Sequence, residues 1–265
     1  MTSSKKIILW FLVLGPFIGL FSLVQLTSMG FFGDLPTFEQ LENPKNNLAT
    51  EVISEDGAVL GKYFFENRSR VRYDELPENL INALIATEDV RFREHSGIDG
   101  RALLRAIFGA MTGKSSSGGA STITQQLAKM LFTDQPSSGI DRVMQKLKEW
   151  VISVELERQY TKEEIMVMYL NKMGFLFQST GIRSASRIYF GKEPKELKIE
   201  ESAVLVAMLK NPRQYNPKRE ISKNKSFERR NVVLSQLAKS GKISEQTKDS
   251  LQALPITLDF SPEGH

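Results

Sequence analysis

Two hydrophobic patterns divide the chain. From Ile7 to Thr27 the sequence reads IILWFLVLGPFIGLFSLVQLT, 21 residues without a charge. About 20 apolar residues are what a helix needs to cross the hydrocarbon core of a bilayer. Gly15 and Pro16 would disturb a soluble helix, but they are tolerated in a span. The pattern predicts a cytoplasmic tail over 1–6, a transmembrane helix over 7–28 and a juxtamembrane linker over 29–50, broken by Pro36, Pro44 and Asn46-Asn47. Lys5 and Lys6 directly precede the run, which keeps that end in the cytoplasm and sends the rest across the membrane. A cleaved signal peptide is the competing reading. It requires a shorter apolar core and a small-x-small cleavage site, for which Leu26-Thr27-Ser28 is a poor match.

After residue 50 the period changes. Glu51-Val-Ile-Ser and Ala58-Val-Leu-Gly-Lys-Tyr-Phe-Phe flank Asp56-Gly57, a hairpin signal. From Leu76 onward the pattern is helical almost throughout. Pro77 fits the first turn of a helix carrying Leu80, Ile81, Leu84 and Ile85. Further helices are predicted near 99–112, 138–158, from Thr161, near 199–210 and near 225–240. In the 138–158 helix, Ile140, Val143, Met144, Leu147, Trp150, Val151 and Val154 recur at helical spacing and are expected to be buried. Arg142, Gln145 and Glu149 form the opposite, polar stripe. The architecture expected is a mainly α domain over 51–240 with a small β-hairpin, followed by a C-terminal helix and linker over 241–265.

Composition narrows the chemistry. With no cysteine, disulfides, thiolate metal sites and cysteine nucleophiles are excluded. The only histidines are His95 and His265, so a histidine-rich metal site is excluded as well. Beyond Lys5 and Lys6 the balance is 33 basic against 31 acidic residues, which is not the footprint of a nucleic-acid binder.

Four clusters carry candidate chemistry. Glu88-Asp89 end the apolar run Ala83–Ala86, where a carboxyl is suited to acid–base work or is simply a solvated helix end. Gly118-Gly119-Ala-Ser121-Thr122-Ile-Thr124-Gln125-Gln126 runs flexible glycines into a helix start. This is an anion or sugar site, or plain capping by Thr122. Gln145, Lys146 and Glu149 with Arg142 form a charged stripe or a solvated face. The tract Lys210–Arg230 holds eight basic residues against two glutamates. Gly109-x-x-x-Gly113-Lys114-Ser115 is one residue too short for a phosphate-binding loop and follows a helix, so that reading is rejected.

The order and spacing of these clusters say more than any one alone. Glu88-Asp89-x-x-Phe92-x-x-His95-x-Gly97, Gly-x-Ser121-Thr-Ile-Thr-Gln-Gln126-x-x-Lys129, Lys146-x-x-Glu149, Lys162-x-x-Ile-Met-x-x-Tyr169-Leu-Asn171 and Arg229-Arg-Asn-Val-Val-Leu234 closely resemble the peptidoglycan glycosyltransferase, or transglycosylase, family. This is the glycan-polymerising domain of class A penicillin-binding proteins and of monofunctional transglycosylases. The resemblance covers about residues 50–240. It implies a lysozyme-like fold behind one membrane span, lipid II and a lipid-linked glycan strand as substrates, and release of undecaprenyl pyrophosphate. It also implies the bacterial inner membrane as location, with the domain on the periplasmic or extracellular face, and other cell-wall synthesis proteins as partners; nucleic acid is not among them.

The resemblance makes Glu88 the general base. It makes Glu149 the second catalytic carboxylate, on the donor side, and the candidate ligand of a divalent ion, Mg or Mn, which is not essential to the reading. Arg105 and Lys129 match donor-phosphate positions, and Ser121, Thr122, Gln125 and Gln126 match positions lining the cleft. Asp89, Phe92, Lys146 and Asn171 complete the expected substrate-binding set. Gln145 departs from the family pattern, which has arginine there. Arg142, one turn earlier, is the candidate replacement charge. The apolar stretch Ala102–Met111 is expected to dip into the bilayer. A lytic enzyme using Glu88 as acid is the alternative, as is a silent glycan-binding scaffold, since fold does not fix function.

Overall fold

A computed structural model of the protein describes residues 14–15, 18–19, 21–31, 33, 35–37, 50–53, 59–63, 70–113, 119–133 and 136–261. The expected span Ile7–Thr27 falls in part outside these. Residues 14–15, 18–19 and 21–28 are helical, and among the described residues no helix is long and apolar enough to cross a membrane. The hairpin forms where the alternating pattern placed it. Strand β1 (Thr50–Ile53) pairs antiparallel with β2 (Val59–Tyr63), Thr50 opposite Tyr63, with an irregularity between Val52 and Ile53. The Asp56-Gly57 turn lies outside the described residues.

Nine helices follow among the described residues: α1 (Glu78–Glu88), α2 (Gly100–Met111), α3 (Ile123–Phe132), α4 (Gly139–Gln159), α5 (Lys162–Lys172), α6 (Ile182–Phe190), α7 (Ile199–Leu209), α8 (Lys223–Lys239) and α9 (Glu245–Ala253). Their starts follow the capping chemistry of the sequence. Asp99, Thr122, Ser138, Thr161 and Ser244 each accept a backbone N–H of the following turn. Pro77 sits one residue earlier than expected, as the residue before α1 rather than inside its first turn. Its extended backbone (ψ 146°) shows why: it leads into the helix rather than belonging to it.

Two helix trios share one core. α7, buried without interruption from Ser202 to Leu209, packs against α1 and α8. A helix apolar on all sides belongs in an interior. α3 packs against α4 and α5. α2 stands apart, with no extensive contact to another element, and leaves Leu104, Ile107, Phe108 and Met111 exposed.

The expectation for α4 needs correction. Ile140 is 73% and Val143 55% exposed, whereas Glu149, expected on the polar stripe, is only 5% exposed. The stripe holding Glu149 turns inward because α3 covers it, and Leu147, Ile152, Ser153 and Leu156 make the buried face. The first turns of α4 extend past the core, so their apolar side chains stay exposed among the described residues.

Candidate active site

The site forms where the two trios meet. Glu88 is the last residue of α1, whose Leu80, Ile81, Ala83 and Leu84 anchor it in the core. Its side chain is 14% exposed. Glu88 Oε2 accepts a hydrogen bond from Gln126 Nε2 of α3 at 3.0 Å. Arg229 Nη2 of α8 lies 3.8 Å from Oε1. Gln126 Oε1 in turn accepts from the Tyr169 hydroxyl of α5 at 3.0 Å. Burial, with the Glu88 charge adding to it, pushes the Tyr169 phenol well above its ordinary range, so it stays a donor.

Asp89 turns inward. Its oxygens lie 3.0 Å from His95 Nε2, and Oδ2 accepts the Ile123 N–H at 3.1 Å, the first amide of α3. The carboxylate therefore ties the end of α1 to the start of α3 and fixes Glu88 relative to Gln126. Thr122 caps the same helix and donates to Gly97 O at 2.7 Å, and Gln125 Nε2 donates to that carbonyl at 3.1 Å. Both side chains are buried: they build the floor of the site rather than its surface. Phe92 is also fully buried, with its ring edge-on to His95 and under Lys162 Nζ at 4.4 Å. Asn171 pairs with both backbone groups of Val71, at 2.9 and 3.0 Å. These four expected substrate-binding residues, Thr122, Gln125, Phe92 and Asn171, thus act on the protein's own frame in this structure.

Gln126 opens onto a cleft of about 780 Å³ lined also by Ser121, Lys129, Arg142, Gln145, Lys146, Glu149 and Trp150. Lys146 Nζ donates to Glu149 Oε2 at 2.7 Å and to Ser121 Oγ at 2.9 Å, joining α4 to the approach to α3. Gln145 Nε2 donates to Thr133 Oγ1 at 3.1 Å. Lys129, Arg142 and Lys146 against Glu149 leave the cleft with an excess of positive charge. Arg142 reaches it as the sequence stripe suggested. Arg105, exposed on α2, is not among the lining residues.

The surroundings of Glu149 do not fit a protein-built metal site. Its Oε2 is occupied by an ammonium, and among the described residues no group of three or more Asp, Glu or His side chains is placed to hold an ion. Tyr169 and Arg229 both lie in the motifs read from the sequence, but neither was singled out as a site residue. The residues that reveal them, Gln126 and Glu88, are 43 and about 140 positions away in sequence.

The chain is similar to known proteins over most of its length. The chain is 36% identical over 234 residues to penicillin-binding protein 1A of Vibrio cholerae, covering 87% of this chain and 28% of that protein. It is 34% identical over 255 residues to penicillin-binding protein 1A of Aquifex aeolicus (96% and 34% covered) and 38% over 210 residues to penicillin-binding protein 1F of Bacillus subtilis (79% and 28%). The chain therefore spans about a third or less of the length of these curated relatives. A crystal structure of penicillin-binding protein 1A from Haemophilus influenzae aligns with a TM-score of 0.45 at 23% identity, covering 82% of this chain and 22% of that one. Residues 56–238 match the family described as Transglycosylase, and the chain belongs to that family.

Proposed function

We propose that this domain is a peptidoglycan glycosyltransferase that polymerises lipid II into glycan strands. The observation that carries the reading is Glu88, held by Gln126 at the edge of a cation-lined cleft. In the proposed step Glu88 takes the proton of the acceptor 4-hydroxyl as that oxygen attacks the donor anomeric carbon. The new C–O bond forms as the bond to the lipid pyrophosphate breaks, with inversion, and the electron pair leaves on the pyrophosphate. A sugar hydroxyl is a weak nucleophile and needs a base within hydrogen-bond reach. The leaving group needs fixed positive charge, which Lys129, Arg142 and Lys146 supply. Glu149 holds Lys146 in place for that task.

The membrane belongs to the same reading. The Ile7–Thr27 run is the proposed anchor and places the domain on the outer face of the bacterial inner membrane. The exposed Leu104, Ile107, Phe108 and Met111 of α2, with Ile140 and Val143 of α4, are the proposed contact with the bilayer surface from which a lipid substrate is taken. Other cell-wall synthesis proteins are the expected partners.

The experiment is polymer formation from labelled lipid II by the full chain, run beside release of sugar from preformed glycan. Glu88→Gln keeps size and hydrogen bonding but accepts no proton; the expected loss is about 100- to 10,000-fold in rate. Glycan cleavage without elongation would install the lytic reading, and near wild-type polymerisation by Glu88→Gln would remove Glu88 as base.

A further inference from the structure

The two oxygens of Glu88 are not equivalent. Oε2 is occupied by Gln126 Nε2 at 3.0 Å, whereas Oε1 faces Arg229 Nη2 at 3.8 Å, too far to occupy its lone pairs. What decides the difference is the orientation of one amide. A glutamine side chain can present either its N–H₂ or its C=O to a neighbour, and rotation by half a turn exchanges them. Facing a carboxylate, only the N–H₂ is favourable. With that end committed, Gln126 Oε1 points at the Tyr169 hydroxyl, which must donate to satisfy it.

Tyr169 suits this role. Its side chain is fully buried between α5 and the core, so the hydroxyl cannot swing to solvent. Gln126, by contrast, is only half-buried and lines the cleft, where water or substrate would compete for its amide. The rigid group therefore orients the mobile one. Aligned donors polarise one another, so the chain from Tyr169 through Gln126 to Glu88 is stronger than two separate bonds.

We propose that Tyr169 is a positioning residue that, through the amide of Gln126, commits Glu88 Oε2 to a structural hydrogen bond and leaves Oε1 as the oxygen that takes the acceptor proton. This rests on the reading of Glu88 as the base. Without the phenolic hydroxyl, the Gln126 N–H₂ still faces the carboxylate, but the amide C=O loses the buried donor that fixes it and the side chain becomes mobile. The carboxylate then turns, and the reacting oxygen moves off its line.

Tyr169→Phe removes one hydroxyl and keeps the ring. The expected result with the full chain and lipid II is an unchanged KM and a kcat lowered about ten-fold, a cost in line with small misplacement of a reacting group. Gln126→Ala is expected to lower kcat as well, and adding Tyr169→Phe to it to cost nothing more, because Tyr169 then has nothing to orient. A structural defect would instead raise KM or add to the Gln126 loss. The side-chain ¹⁵N amide signal of Gln126 gives a readout without substrate: one sharp pair of proton resonances in the wild type, shifted or broadened in Tyr169→Phe. An unchanged kcat, an additive double variant or an unaltered amide signal overturns the proposal. If Tyr169→Phe fails to fold, Gln126→Met carries the same kcat expectation, and its full activity would overturn the proposal. A wild type inert toward lipid II defeats the functional reading alone, and the amide signal still decides whether Tyr169 orients Gln126.

Discussion

Asp99 shows how one carboxylate can hold an otherwise loosely packed helix. It caps α2 by accepting the N–H groups of Arg101 and Ala102 at 3.0 Å, and Arg91 grips it with two nitrogens at 2.5 and 3.1 Å. Burial works against its ionisation, but the Arg91 guanidinium and the Ala102 amide outweigh that and hold the carboxyl below its ordinary value. A depressed carboxyl contributes stability that is fully present above the unfolded value, near 3.8, and is lost as pH falls through the folded one. Asparagine caps as well as aspartate. Asp99→Asn should therefore keep α2 yet remove that part of the acid sensitivity, while Asp99→Ala loses about 1 kcal/mol at pH 7. Urea midpoints at pH 7 and pH 3 check both; an Asn variant with the wild-type fall between the two pH values would deny the Arg91 pair its role. Caps such as Thr122 and Thr161 act within three residues, which is why local spacing foretells them. Asp89 was less legible. Its partners are His95, six positions on, and the Ile123 amide, 34 positions on, so only the folded chain shows that it faces inward.

At the scale of elements, most helix boundaries followed the apolar period closely, but α6 (Ile182–Phe190) was not among the expected helices, and in α4 the buried face is not the expected one. The α4 pattern is regular along its whole length, yet periodicity reports only that one side is apolar, not which neighbour reaches it. The loop after α5 shows another limit. Leu176, Phe177 and Gln178 all adopt left-handed backbone, φ 69°, 52° and 57°, without a glycine or asparagine to announce it. Each costs roughly 1–2 kcal/mol; the Phe175 N–H closes the turn onto Ser179 O at 2.8 Å, and tertiary packing of Phe177 edge-on to Tyr189 and Phe260 holds it. Gly97 was legible as part of a motif, and the structure gives the reason for it. Its φ is +89°, and a Cβ there would lie 2.7 Å from the carbonyl carbon and oxygen of Ser153 in α4, which are backbone and cannot step aside. Gly97→Ala is thus expected to cost about 1–3 kcal/mol and to displace the carbonyl that Thr122 and Gln125 share. Gly100→Ala, where nothing lies within 4 Å, is the control and should be within about 0.5 kcal/mol of wild type. Thermal unfolding of the two variants separates a packing requirement from a general intolerance of alanine in this segment.

On the scale of the whole molecule, Glu88, Gln126 and Arg229 come from α1, α3 and α8, so the candidate site exists only when both trios are docked. The sequence could place each residue on its helix and could not place the helices, because the contacts joining them span most of the chain. The same docking leaves an apolar region of α2 uncovered. Phe108 and Met111 of α2 are 70% and 81% exposed, and Ile140 and Val143 of α4 are 73% and 55% exposed. Burying an exposed phenylalanine or methionine yields about 1.5–3 kcal/mol, so several such side chains entering a lipid surface give reversible binding on their own, additional to an N-terminal anchor. If this region rests on the membrane in the proposed reaction, a domain lacking residues 1–30 should still float with phospholipid vesicles. Phe108→Glu with Met111→Glu should abolish that flotation. Because both side chains are exposed, their loss should leave the helical circular dichroism and the unfolding midpoint unchanged. In the full chain the same pair should lower turnover of vesicle-borne lipid II far more than turnover in detergent, where no surface has to be reached. Equal flotation of the double variant would mean that these side chains make no contact with lipid, and that the substrate enters the cleft from another side.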